Sequence, residues 1–328
     1  MEITKLYETL PIAPEKVTGL VDNHRLYEIL AVTCQLEIFE ELQSGKTPTE
    51  LAVKKDLEEV GLEYLLELLY QAGYLLKQRE VYYNSPLAET YLLESSFLRL
   101  THFFPQDFAE DSLANQLLKA LQKKESKERG EPNWNPDRLR QIGVGSLIGS
   151  LHSTIAACDL TGANSLLDLG GGHGFYSIAF AQKYPQLQVT LFDLPQVIPL
   201  AAKFTRKFRL EERIKLIEGN FLQDEIGQGY DSVLCSNILH SDKRDVVLSK
   251  VWQALNSGGR IIVKCRVSDC EDSFTAALAK LLWYLQGGRE IFSQKDWYGF
   301  LAEKGFQDLK TVDLNGIFAT FIGWKKEI

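Results

Sequence analysis

Gly170, Gly172 and Gly174 stand at alternate positions directly after an apolar run, Ser165 to Leu169, in which one acid, Asp168, is embedded. Glycines in that pattern let a backbone turn tightly and let a ligand approach the free N–H groups of the helix that follows. The expected ligand is an adenine-containing cofactor. Three glycines alone do not choose among such cofactors, because dinucleotide enzymes also carry a strand, a glycine turn and a downstream acid. Here Phe175 stands where the dinucleotide fingerprint has its third glycine, and Asp168 would face a pyrophosphate. The pattern suits a cationic ligand better.

Asp193 closes the next apolar run, ahead of Leu194 and Pro195, where a carboxylate accepts hydrogen bonds from both hydroxyls of a ribose. Each such charge-assisted bond is worth ~1.5–3 kcal/mol. A third run ends in Glu218, Gly219, Asn220 and Phe221, offering an amide to an adenine's edge and an aromatic ring to its face. Singly, Asp193 reads equally well as a helix cap and Phe221 as core. Three sites at the ends of successive strands favour one shared ligand.

The elements that must position these residues are legible in the apolar pattern. Ser165 to Leu169, Gln188 to Phe192, Ile214 to Glu218, Ser232 to Ser236 and Arg260 to Cys265 alternate with amphipathic helices. That is an α/β fold with a doubly wound, mostly parallel sheet. Asp308 to Val312 and Gly316 to Trp324 read as a closing pair. Ahead of the sheet, residues from about Asn23 to Leu93 read as helices followed by a hairpin, with apolar positions at helical spacing through Leu26, Ile29, Leu30, Leu36, Phe39 and Leu42. Thr47 or Thr49 caps a helix that has Glu50 in its first turn, and Gly73 to Tyr83 forms two short strands. This is a winged-helix pattern. Residues 95 to 160 read as helical and irregular, with Phe97, Leu98, Phe103, Phe104 and Phe108 in one cluster, and Lys123 to Pro132 as an exposed loop.

A chain of 328 residues, 45% hydrophobic and 24% charged, is long enough for two domains of an ordinary globular protein. Its net charge of −8 disfavours nucleic acid and anionic lipid. The winged helix does not reverse this, since Lys46, Lys54 and Lys55 stand among Glu40, Glu41, Glu50, Asp56, Glu58 and Glu59. Docking to protein is the expected role of that module. No apolar stretch approaches the ~20 residues that span a bilayer, and the first residues carry no signal pattern, so a cytoplasmic protein with no membrane partner is expected. The five cysteines, Cys34, Cys158, Cys235, Cys265 and Cys270, are scattered. They read as reduced thiols, with no metal site.

With these motifs the sequence resembles the S-adenosylmethionine-dependent O-methyltransferases with an N-terminal winged-helix dimerisation domain, of the caffeate, acetylserotonin and bacterial polyketide type. The residues that carry the resemblance are Asp168 to Gly174, Phe192 to Pro195, Glu218 to Phe221, and Asn237 to His240 before a helix ending at Gly258 and Gly259. It covers nearly the whole chain and implies three parts: a dimerisation domain over 1–95, a helical connector contributing to the acceptor pocket over 96–160, and a Rossmann-like class I methyltransferase domain over 161–328. The implied cofactor is S-adenosyl-L-methionine. Asp168, Gly170, Gly172 and Gly174 would cradle it, Asp193 with Leu194 would hold its ribose, Asn220 and Phe221 would meet its adenine, and Ser236 would lie near its methionine end. The family usually has aspartate at the position of Asn220. The same resemblance implies a homodimer through the N-terminal domain.

His240 matches the family's general base, which takes the proton of an acceptor hydroxyl; an imidazole of ordinary pKa near ~6.5 suits that task. Read alone it is a helix-capping residue. The acids that usually support it are absent: Ser241 and Asp242 follow the histidine, Cys265 stands at the acidic position of the next strand, and Gly323 at a second one. Asp242 or Glu290 is the substitute helper, or else the acceptor needs little activation and positioning supplies most of the rate. Phe103, Phe104, His152, Trp283, Tyr284 and Trp297 fall in segments that line the family's acceptor site, suiting a small aromatic or heteroaromatic acceptor; each alone reads as core. Carbon or nitrogen methylation, a repurposed non-methylating enzyme, and a winged-helix regulator that senses metabolites are the competing readings.

Overall fold

The structure is a computed structural model that describes residues 2–3, 15–105, 107–123, 150–239, 243–270, 273–285 and 291–326. The chain forms two compact units. One runs from Ala13 to Glu131 and takes in Glu271 to Arg289; the other comprises Met1 to Ile12, Pro132 to Cys270 and Glu290 to Ile328.

The first unit contains helices α1 (Glu15–Gln35), α2 (Ile38–Glu41), α3 (Pro48–Lys55) and α4 (Glu59–Gln71), the hairpin β1 (Leu75–Gln78) and β2 (Val81–Asn84), then α5 (Pro86–Tyr91) and α6 (Leu113–Leu121). Helix α1 begins before Asn23 and gives way at Glu37, whose φ of 54° turns the chain into α2. Thr47 is the cap of α3: its hydroxyl accepts the Glu50 amide at 3.2 Å, and the Glu50 carboxylate accepts the Thr47 amide at 2.8 Å. Pro48 follows at the first helical position, where a missing N–H costs nothing. The apolar stripe of α4 buries Leu62, Leu65, Leu66, Leu68 and Leu69. The hairpin turns over two residues, with Arg79 at φ 57°, and Lys46 bridges to Tyr82 to add a rung to the wing.

Lys54 and Lys55 of this winged helix are engaged by acids, the first with Glu41 and the second with Glu37. The expected aromatic cluster is corrected. Phe104 and Phe108 pack onto the helical core, but Phe97, Leu98 and Phe103 are exposed. The local structure is a single 3-10 turn at Thr101–Phe103, too short to give a stripe that buries five side chains. Of the polar run after it, Lys123 is described and pairs with Asp56 at 2.9 Å; the rest lies outside the described residues.

The second unit contains α7 (Leu151–Ala157), β3 (Ser165–Leu169), α8 (Phe175–Lys183), β4 (Gln188–Asp193), α9 (Ile198–Lys207), β5 (Ile214–Glu218), β6 (Tyr230–Ser236), α10 (Arg244–Ala254) and β7 (Leu255–Arg266). The chain then contributes α11 (Phe274–Leu285) to the helical unit, and closes the sheet unit with α12 (Gln294–Glu303), β8 (Gln307–Asn315) and β9 (Phe318–Trp324). Strand order is β5-β4-β3-β6-β7-β9-β8; β3 to β7 are parallel and β9 is antiparallel to both neighbours.

Strand periodicity sends alternate residues to opposite faces. Leu166, Leu191, Leu234, Ile262 and Ile322 join Leu151, Ile155 and Phe180 in one core. Leu167, Phe192, Val233, Ile261 and Phe321 join Leu248, Val251, Trp297 and Leu301 in the other. Each fully buried side chain contributes about 1.5–3 kcal/mol, so both faces need their helices. This is the doubly wound sheet the sequence predicts, with its strand order reversing between β3 and β6. Ligands bind such sheets at the carboxyl ends of the strands beside that reversal.

Helix α11 is held within the helical unit by a close fit. Gly61 leaves room for the Tyr284 ring, since a Cβ there would lie 2.6 Å from it, and the Tyr284 hydroxyl donates to Glu58 at 2.5 Å. Leu278, Leu281 and Leu285 complete the packing.

Candidate active site

The glycine loop begins where β3 stops. Gly170 takes φ 67°, Gly172 57° and Gly174 78°, a region that favours glycine at each. Gly170 donates its N–H to the Phe192 carbonyl at 2.8 Å, and Gly174 caps α8. A Cβ at Gly170 would meet Ile238 at 2.7 Å and Phe221 at 3.5 Å, whereas one at Gly172 would meet nothing within 4 Å. The loop is therefore closed beneath Gly170 and open above Gly172.

Asp168 lies behind the loop, 1% exposed, and accepts the Ser177 hydroxyl at 2.6 Å. Burial pushes its carboxyl up to about 6, the Ser177 bond opposing that and the Asp193 carboxylate adding to it. His173, which the sequence reading passed over, accepts the Phe175 amide through Nδ1 at 3.1 Å; burial pulls its pKa down to about 4, leaving it neutral at physiological pH.

Asp193 is half-buried at the end of β4. One carboxylate oxygen accepts the Gly172 amide at 2.7 Å and the other the Leu194 amide at 2.7 Å, and burial raises its pKa. Each oxygen keeps a second lone pair. Asn220 uses its side-chain oxygen on the Leu222 amide at 3.0 Å, and its own amide donates to Asp224 at 2.7 Å. The side chain thus shapes the turn that presents Phe221. The structure brings Gly170, Phe221 and Ile238 together, and Gly172 with Asp193 and Leu194. Ile238 could have been found from its place two residues past the end of β6.

Ser236 ends β6 and pairs with Lys264, and Asn237 leaves the strand at φ 56°. His240, Ser241, Asp242 and Glu290 lie outside the described residues. Cys265 is buried, with burial pushing its thiol pKa up, and pairs with Ala319. Gly323 pairs with Ile261, four residues earlier on β7, so it lies toward the other end of the strand from Cys265.

Among the aromatic candidates, Phe103, Phe104, Trp283 and Tyr284 belong to the helical unit and His152 to the sheet unit. Phe103 is exposed, Phe104 lies 5.4 Å from the Tyr27 ring, and Tyr284 is committed to Glu58. His152 is exposed on α7 rather than in the core. Trp297 is a core residue, packed on Phe292, Phe300 and Phe321.

Comparison with known proteins fits this geometry. Residues 18–94 match an O-methyltransferase dimerisation domain, and residues 146–307 match an O-methyltransferase domain. The chain belongs to the S-adenosylmethionine-dependent O-methyltransferase family. This methyltransferase is 28% identical to the uncharacterized protein MJ0086 of Methanocaldococcus jannaschii, over 92% of the chain and 88% of that relative. It is 26% identical to the tetracenomycin polyketide synthesis 8-O-methyl transferase TcmO of Streptomyces glaucescens, over 89% of the chain and 91% of TcmO. It is 25% identical to the N,N-dimethyltransferase OxyT of Streptomyces rimosus, over 91% and 93%. An O-methyltransferase family 2 protein from Planctomyces limnophilus, solved in complex with apigenin, shares its fold with a TM-score of 0.75 at 20% identity, over 99% of both chains.

The residues present fit the family's cofactor. The space above Gly172 and the half-buried Asp193 beside it make a cradle that a side chain at the loop would fill. No described helix is long and apolar enough to cross a membrane, and no described group of three or more His, Cys, Asp or Glu residues is placed to hold a metal ion.

Proposed function

We propose that this methyltransferase is a homodimer that methylates a hydroxyl of a small aromatic or heteroaromatic acceptor. The observation that carries the reading is the tie between Gly172 and Asp193, which fixes a carboxylate beside an open glycine loop at the strand-order reversal. Bound S-adenosylmethionine supplies an electrophilic methyl group. The chain's residues do the rest. Asp193 accepts the ribose hydroxyls with its free lone pairs, Gly170 and Gly172 give backbone close approach, and Phe221 offers its ring to the adenine. Asp168 backs the loop through Ser177. Ser236 flanks the methionine end, and His240, two residues past Ile238, takes the acceptor proton, with Asp242 as its helper.

A relative's structure in complex with apigenin supports a flat aromatic acceptor. Val17, Leu20 and Val21 are exposed on α1 at helical spacing, an apolar face that supports pairing with a second copy. The engaged lysines of the winged helix support a role other than reading nucleic acid. Five free thiols support a reducing compartment, the cytoplasm.

The test is calorimetry with S-adenosylhomocysteine, followed by transfer of labelled methyl to hydroxylated aromatics. Absence of saturable binding to the wild-type protein would remove the cofactor assignment. A second reading, transfer to nitrogen or carbon, is favoured by the buried thiol of Cys265 where the family resemblance puts an acid, and by the likeness to OxyT. Product analysis with labelled donor separates the two.

A further inference from the structure

Lys264 lies in an apolar strand interior, with Ile261, Ile262 and Val263 before it and Cys265 after it. It is 2% exposed, and its Nζ has no hydrogen-bond partner among the described residues. A buried ammonium is kept against a large desolvation penalty only where something compensates it. Burial pulls its pKa down to about 8, with the Asp313 carboxylate acting in the opposite direction.

The register shows where the ammonium sits. Lys264 pairs with Ser236 of β6 on one side and Thr320 of β9 on the other, and Thr320 pairs with Asp313 of β8. Leu169 pairs with Cys235, so the residues that follow them, Gly170 and Ser236, adjoin. A row of Gly170, Ser236, Lys264, Thr320 and Asp313 thus crosses a sheet face otherwise packed with Leu166, Leu234, Ile262 and Ile322. Its outer end is satisfied, because Asp313 accepts the Ser153 hydroxyl at 3.0 Å and the Thr154 hydroxyl at 3.2 Å. Its middle is not. Thr320 Oγ1, like Lys264 Nζ, is buried with no hydrogen-bond partner among the described residues.

Strands lie about 4.8 Å apart, so the Lys264 backbone is about 10 Å from Gly170, a span that a lysine stem and an amino-acid tail cover together. Nζ lies 4.4 Å from the centroid of Phe318, two residues nearer than Thr320 to the carboxyl end of the parallel strands. That is the end at which the glycine loop opens.

We propose that Lys264 receives the carboxylate at the amino-acid end of the cofactor, an assignment that rests on the S-adenosylmethionine reading of the loop. The ammonium swings from the Phe318 ring toward Ser236 and donates to the carboxylate, gaining the partner it lacks. A ligand made of the same nucleoside without that carboxylate makes no use of it.

Calorimetry on the full chain separates these cases with two probes, S-adenosylhomocysteine and 5′-methylthioadenosine, which lacks the amino-acid tail. Lys264→Met keeps the shape of the stem and removes the charge. It is expected to weaken S-adenosylhomocysteine roughly ten- to hundredfold, to leave 5′-methylthioadenosine within about twofold, and to be rescued in large part by Lys264→Arg. Equal binding of S-adenosylhomocysteine by wild type and Lys264→Met, or equal loss of both probes, would overturn the assignment while leaving the cofactor reading intact. Failure of the wild type to bind either probe would overturn both.

Discussion

The Gly172 amide donates to the Asp193 carboxylate at 2.7 Å, so the loop after one strand is tied to the acid that ends the next. The same carboxylate holds the Leu194 amide. One side chain thereby sets the shape of the loop and offers its remaining lone pairs to a ligand. Asp193→Ala removes both functions and is expected to raise the dissociation constant of S-adenosylhomocysteine by roughly ten- to hundredfold, with Asp193→Asn between it and wild type. Unchanged affinity in the alanine variant would confine Asp193 to shaping the loop.

Gly170 is constrained twice, by its positive φ and by Ile238. Gly170→Ala adds ~1–2 kcal/mol of backbone strain and a contact at 2.7 Å. We expect a melting temperature a few degrees lower and weakened cofactor binding. Adding Ile238→Ala should relieve the contact but not the strain, so recovery in the double variant will be partial; full recovery would show that the backbone angle costs nothing.

Asp168 gives the clearest pH dependence. Its carboxyl titrates at about 6 in the fold against an ordinary value of 3.8, so the folded state holds the proton more tightly than the unfolded chain. Stability from this group is complete below pH ~4 and is lost as pH rises through about 6, a loss of about 3 kcal/mol. Asp168→Asn cannot ionise and keeps the Ser177 bond. Its stability advantage over wild type, read by urea unfolding, should be small at pH 4 and grow to a plateau above pH 6. A difference independent of pH would contradict the buried, ionised carboxylate.

His240→Ala is expected to lower turnover ~10²–10⁴-fold at neutral pH, with S-adenosylhomocysteine affinity nearly intact. If the alanine variant turns over at the wild-type rate, the acceptor requires no base.

Tyr284→Phe deletes the hydroxyl that donates to Glu58, whose carboxylate also caps α4 through the Val60 and Gly61 amides. Removing a bond to a charged group costs about 1.5–3 kcal/mol, to be measured by denaturant unfolding. A larger side chain at Gly61 should cost more, because it displaces the ring itself. Wild-type stability in both variants would mean that α11 is held by its leucines alone.

The parts of this molecule set by short-range chemistry are legible in the amino-acid sequence. The Thr47 and Glu50 capping pair, the wing, and the run from Ser165 to Gly174 all follow from residues a few positions apart. What depends on register or on distant packing is not. Nothing near Lys264 announces that it stands between Ser236 and Thr320, because that row exists only once β9 has paired antiparallel to β7. The resemblance puts missing acids at Cys265 and Gly323, and only the register shows them toward opposite ends of β7, since Cys265 pairs with Ala319 and Ile261 with Gly323. Tyr284 enters the sequence reading through a segment that lines the family's acceptor site, whereas its hydrogen bond to Glu58, between residues 226 positions apart, is visible only in the fold.

That last separation bears on how the protein is made. Helix α11 leaves the sheet unit's stretch of chain to fill the notch over Gly61 in the helical unit. The stretch from Ala13 to Glu131 is made before α11 and cannot finish its core until Leu285 has left the ribosome. Until then the face destined for Leu278, Leu281 and Leu285 is bare, so the earlier-made stretch depends on a later one and on whatever shields apolar surface in a nascent chain.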